Sequence, residues 1–257
     1  MKTRLIIILA IIAAAFSSCL KDNVIMYGEQ TFCDVKDGRL YTDTGNIYTV
    51  VNNSTGEVWD TLSRAFIYCD VLNKTKDAAT ENEYDIDLKA FARVLPKVPA
   101  LKSGADDAVV GTDPVLFVQG WVSGVDKLNL NVRFAISYKK ESKTMHLLSV
   151  LFDDDKSNAD TLVFELRHNG NGEVFGGENI QDDETAFTDG YLSFKLDDYL
   201  PDNQESIVIR INSMWYKQYA GYYAKETEAV TTTATLMLPQ SKTRVIWGED
   251  YLTTRME

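Results

Sequence analysis

Two histidines, two candidate core cysteines and an Asp-rich loop hold most of the reactive side chains of this sequence. His146 lies on an alternating stretch whose neighbours Met145 and Leu147 point the other way, so it reads as a surface imidazole. His168 opens the turn Asn169-Gly170-Asn171-Gly172, where a ring nitrogen bonded to a loop carbonyl is the expected role. Two histidines this far apart do not make a catalytic pair in the sequence. Ser137-Tyr138-Lys139-Lys140 matches Ser-x-x-Lys, but that chemistry needs a helical turn and these residues end a strand-like run. There is no His-Glu-x-x-His, no Gly-x-Ser-x-Gly and no Gly-rich phosphate loop. Glycoside hydrolysis needs a carboxylate pair at a set separation, and none of the 38 acids stands out as one. No catalytic residue is therefore nominated.

The loop 153–160 places oxygen ligands at Asp153, Asp155 and Ser157, with Asp160 nearby. That partly mimics a calcium loop, but its sixth position is Asn158 rather than Gly and its twelfth is Phe164 rather than Glu. It reads as a solvated hairpin loop; no metal and no cofactor are expected, and calcium at this loop stays open. The most suggestive binding feature is aromatic: Trp215, Tyr216, Tyr219, Tyr222 and Tyr223 fall around Gly221. Such density makes a flat platform for a sugar ring or a protein partner. The competing reading is a hairpin whose inward aromatics fill a core and whose outward ones pair across strands.

Stepping along the chain, Lys2 and Arg4 precede the apolar run Leu5–Phe16, and Ser17-Ser18-Cys19 follows. The run is too short to span a bilayer and has the layout of an export signal. Its ending resembles a bacterial lipobox, with residues 1–18 removed, Cys19 carrying the lipid and residues 19–26 forming a tether. Acyl chains on that residue imply a stable membrane anchor. Loss of residues 1–18 removes two cations and no acid, taking the formal charge from −12 to −14. A chain this acidic is a poor partner for nucleic acid. An exported compartment permits a disulfide between Cys33 and Cys69, each on an inward-facing strand position; two free buried thiols are the alternative. Asp60-Thr61-Leu62 and Asp160-Thr161-Leu162 resemble Asp-Thr-aliphatic acceptors of protein O-glycosylation, which nominates Thr61 and Thr161.

The 257 residues, 45% of them hydrophobic, are enough for a globular chain of one or two domains. Short runs of period two, broken by Gly, Asn, Asp and Pro, predict an all-β fold. Residues 27–96 hold about five such runs and predict a small OB-like barrel. Residues 97–113, flanked by Pro96 and Pro114 and holding Pro99, Gly104 and Gly111, read as a linker. Residues 114–240 hold seven more runs and predict an immunoglobulin-like β-sandwich. Residues 241–257 read as a tail that adds an edge strand through Arg244-Val245-Ile246-Trp247.

Three stretches carry a family resemblance. Val118-Gln119-Gly120-Trp121-Val122-Ser123-Gly124 with Leu128-Asn129-Leu130, then Leu166-Arg167-His168-Asn169-Gly170-Asn171-Gly172, then Gly190-Tyr191-Leu192-Ser193-Phe194 are similar to strands of the NigD-like lipoproteins of Bacteroidota. The similarity is best from about 112 to 211. It implies an N-terminal OB-like domain, a C-terminal β-sandwich and no known catalytic residues. The resulting expectation is a non-enzymatic lipoprotein of the outer membrane, on the cell surface or the periplasmic face, that binds a protein or glycan partner. An accessory or immunity-like role in bacteriocin production is the alternative that the family's naming suggests. A surface glycan hydrolase comes third.

Overall fold

A computed structural model describes residues 25–124, 128–173, 185–201, 206–219, 222–237 and 245–247. The described chain is nearly all β. In its first half come β1 (Tyr27–Lys36), β2 (Arg39–Thr42), β3 (Ile47–Asn53), β4 (Arg64–Lys74) and β5 (Glu83–Pro96). Their sequences alternate as strands must: Ala65, Ile67, Cys69 and Val71 of β4 are buried, while Tyr68 between them is exposed. β1 pairs with β2 and β4, β2 with β3, β3 with β5 in parallel, and β5 with β4. The five strands thus close into a ring around Leu40, Tyr48, Ile67, Ile86 and Leu88. Closure leaves no edge open within the ring.

The second half forms two layers. β7 (Leu116–Ser123), β8 (Asn129–Lys139), β11 (Thr185–Lys195) and β14 (Val245–Trp247) make one, in the order β14-β7-β8-β11. β6 (Ala100–Leu101), β9 (Leu147–Phe152), β10 (Thr161–Asn169), β12 (Ser206–Tyr219) and β13 (Tyr222–Met237) make the other, in the order β13-β12-β10-β9-β6. Apolar residues of both layers, among them Leu130, Phe164, Phe194, Ile209 and Ile211, meet in a single core.

The two halves share a strand. The last residues of β5, Val94 to Pro96, pair in parallel with Tyr191 to Ser193 of β11. One nine-stranded sheet therefore runs from the ring into the sandwich. Phe32, Val94 and Trp121 pack together there, with Phe66 and Tyr191 against them. Arg64, almost completely buried, binds Asp34 and Asp43 of the ring at 2.7 and 2.6 Å. The same guanidinium reaches Asn131 Oδ1 at 2.9 Å and Ser193 Oγ at 3.1 Å in the sandwich.

Two expectations are corrected and one open alternative is settled. Residues 97–113 are folded onto the sandwich rather than forming a linker. The Lys97 N–H donates to Ser193 O, Ala100 and Leu101 pair with Leu151 and Phe152, and α1 (Asp107–Val110) is capped by the Asp106 carboxylate. Cys33 and Cys69 are free, buried thiols. They sit on adjacent strands, but Cys33 lies opposite Ala65 and Cys69 opposite Glu29. A four-residue offset is about 13 Å along a strand, beyond the reach of a disulfide. Trp215 and Tyr216 are 2% exposed and pack with Leu116, Val118 and Ala135, so they are core residues and not a surface platform.

Candidate functional site

The β10 alternation that buries Leu162, Phe164 and Leu166 also turns His168 inward. There its Nδ1 meets Pro114 O at 2.9 Å, the carbonyl bond expected of it. The β9–β10 register sets Leu147 opposite Asn169, so His146, one residue earlier, is brought to the turn that follows β10. His146 is not the surface imidazole its sequence suggests, since its side chain is only 12% exposed. His146 Nδ1 lies 2.8 Å from His168 Nε2. The ring planes are within 20° and the centroids 5.0 Å apart, the geometry of an in-plane hydrogen bond rather than of face-to-face contact.

The turn then adds a carboxylate. Asn171 and Gly172 adopt positive φ of 53° and 80°, and the Gly170 N–H donates to Asp113 Oδ2 at 2.7 Å. A side chain at Gly170 would meet that carboxylate at 3.3 Å and both imidazoles just beyond it. Glu173 follows, with Oε2 2.9 Å from His146 Nε2. Burial raises the Glu173 pKa, but the Ser142 hydroxyl, the Lys139 N–H and His146 outweigh it and hold the carboxyl below its usual range. Burial lowers the His168 pKa, ahead of the opposing pull of Pro114 O.

These contacts set a proton count. Three hydrogen bonds link Pro114 O, His168, His146 and Glu173, and each needs one proton. Two neutral imidazoles carry two of them. Burial disfavours the charged form of His168. All four ring nitrogens are then engaged, and none is left to take a proton from a nucleophile.

Beside the cluster is a cavity of about 290 Å³. Ile136 and Tyr138 of β8, Ser142 and Thr144 of the following loop, Thr188 of β11, and His146 and Glu173 line it. Among the described residues, neither Lys nor Arg is in that lining. Glu173 Oε1 is buried and has no hydrogen-bond partner among the described residues.

The other nominated residues lie elsewhere. Tyr219 pairs with Tyr222 and Gln218 with Tyr223 where β12 meets β13; the side chains of Tyr219, Tyr222 and Tyr223 are outside the described residues, as is Cys19. Thr61 is exposed in a turn, and Thr161 is half-buried at the start of β10. Ser137 is buried and bonded to the Tyr216 hydroxyl at 2.7 Å. In the 153–160 loop, Asp153 is buried against Lys102 Nζ at 2.8 Å, and Asp154 takes the Ser103 hydroxyl. Among the described residues no three His, Cys, Asp or Glu side chains are grouped to hold a metal ion. The His146–Glu173 contact escaped the sequence because it depends on strand register; the inward alternation at His168 was its one visible trace.

No curated protein matches the chain. Among solved structures, a protein of unknown function from Bacteroides vulgatus is similar with a TM-score of 0.54 at 20% identity, covering 84% of this chain and 94% of that one. A candidate lipoprotein from Bacteroides fragilis gives 0.52 at 14% identity, covering 82% and 98%. A candidate toxin-related protein from Parabacteroides distasonis gives 0.51 at 17% identity, covering 90% and 98%. Identities this low speak to the fold alone. The family model of the NigD-like C-terminal beta sandwich domain matches residues 97–223, the span from the first sandwich-bound residue, Lys97, into β13. The chain thus carries a NigD-like C-terminal beta sandwich domain over residues 97–223.

Proposed function

We propose that this protein is a lipid-anchored envelope protein that holds a protein or glycan partner and catalyses no reaction. The observation that carries the non-enzymatic part is the engagement of all four imidazole nitrogens in internal hydrogen bonds. A general base must present a free lone pair to the proton it removes. The anchoring part rests on the basic start, the short apolar run and Cys19. The partner-binding part is supported by the hollow beside His146 and Glu173, and by a ring and sandwich tied together through Arg64 and a shared strand, which form a stiff scaffold.

Fractionation of cells that express the wild type or Cys19→Ala tests the anchor. The wild type is expected in the membrane fraction and the variant in the soluble fraction. A variant that stays on the membrane overturns the lipid anchor. Partner binding is tested by pull-down from envelope extracts and by glycan-array binding with the purified protein; silence in both removes that reading.

A further inference from the structure

We propose that the cavity beside His146 and Glu173 binds a single neutral sugar ring, such as a terminal hexose of a glycan. This deepens the partner-binding reading and rests on it.

Charge is the first argument. The Glu173 carboxyl is held in its charged form, and neither Lys nor Arg is among the described residues that line the cavity. An anionic ligand would meet the Glu173 carboxylate with no Lys or Arg among the described lining residues to offset it. A cationic ligand would compete with His146 for the same carboxylate. A neutral ligand meets neither obstacle.

The second argument is the type of lining group. Ser142, Thr144 and Thr188 line it with hydroxyls and Tyr138 with a phenol, groups able to donate and accept; Ser142 donates to Thr144 Oγ1 at 2.9 Å and Thr188 only weakly to Asp189 O at 3.5 Å. Sugar hydroxyls have the same double character and are matched best by groups that share it. Glu173 adds Oε1, an acceptor with no partner among the described residues and on a side chain 94% buried. Leaving such an atom unpaired is costly, and a ligand hydroxyl reaching it would relieve that cost. Ile136 and the Tyr138 ring supply apolar surface for the C–H face of a pyranose.

Size is the third. About 290 Å³ sits at the bottom of the range for small-molecule sites, enough for one ring and too little for a folded peptide. The remainder of a glycan would lie outside.

Saturation-transfer NMR of the purified full-length protein, with neutral methyl hexosides and N-acetylhexosaminides at millimolar concentration, tests this. At least one neutral sugar is expected to bind, with no loss on raising the salt concentration. Thr188→Val and Thr144→Val each remove one hydroxyl at nearly constant shape. Each is expected to weaken binding by about tenfold, the worth of a lost hydrogen bond, with an unchanged melting temperature. Binding unaffected by both variants, or limited to charged sugars, overturns the assignment to this cavity. So does a folded protein that binds none of the panel. A glycan-array or pull-down signal that survives both variants would leave the partner-binding reading standing while the cavity proposal falls. Silence in those assays as well would end both.

Discussion

Arg64 and Ser193, separated by 129 positions in sequence, meet at 3.1 Å where the ring abuts the sandwich. Arg64 donates to Asp43 and Asp34 on one side and to Ser193 and Asn131 on the other, so one guanidinium is divided between two cores. Four acceptors, two of them carboxylates, surround it, and such pairing is the condition for tolerating a charge in the interior. Removing it leaves Asp43, itself nearly buried, without its counter-ion. Arg64→Met is expected to cost about 3–5 kcal/mol in denaturant unfolding, with Asp43→Asn on that background restoring part of the loss. A cost below about 1 kcal/mol would mean that the aromatic cluster of Phe32, Phe66 and Trp121 joins the halves unaided.

Gly111 shows why the segment 97–113 is structural. Its φ is +80°, and a Cβ there would lie 2.2 Å from His168 O and 2.5 Å from Asn169 Cα. Both are backbone atoms of β10, which cannot swing aside. Gly111→Ala is expected to abolish soluble expression or to lower the melting temperature sharply. Gly38 also has positive φ, +70°, but open space around it. Gly38→Ala should therefore show backbone strain alone, about 1–2 kcal/mol. Equal effects of the two substitutions would refute the steric account.

The contrast between these segments shows what was readable in advance. Leu162, Phe164 and Leu166 declare their strand because one face is buried and the period is two. The same rule misleads at Trp215 and Tyr216. Adjacent strand residues point to opposite faces, yet both are buried, because this part of β12 also packs against β7. Aromatic density looks alike on a platform and in a core. The segment 97–113 was misread because its two-residue strand and four-residue helix are too short for any periodicity to register. The site suffered most. His168 gave its inward direction away, but its meeting with His146 depends on the β9–β10 register, and the carboxylate of Glu173 arrives through a turn with two left-handed residues.

The cysteines give a chemical prediction. Burial pushes the Cys69 thiol up to about 12 and the Cys33 thiol higher than that. At neutral pH the reactive thiolate of Cys69 is then about one part in 10⁵. Neither thiol of a Cys19→Ala protein should react with Ellman's reagent in the native state, and both should react once denaturant is added. Denatured protein that shows no free thiol would reveal a disulfide and overturn the offset register of β1 and β4.

The site should also make stability depend on pH. Burial depresses the His168 pKa below the value near 6.5 of an unfolded histidine. Between those two values the unfolded chain binds more protons than the folded one, so stability is complete above about pH 6.5 and falls as the solution is acidified. Glu173 is depressed too, and its loss has the same sign, but it begins only near the carboxylate range. Acidification from about pH 7.5 to about 5.5 should therefore report His168 ahead of the carboxylates. Over that window the wild-type melting temperature is expected to fall. His168→Gln keeps an N–H for Pro114 O but cannot titrate, so it should melt lower at neutral pH and lose less on acidification. A slope unchanged in His168→Gln would place the acid sensitivity elsewhere and show that the buried ring does not titrate with unfolding.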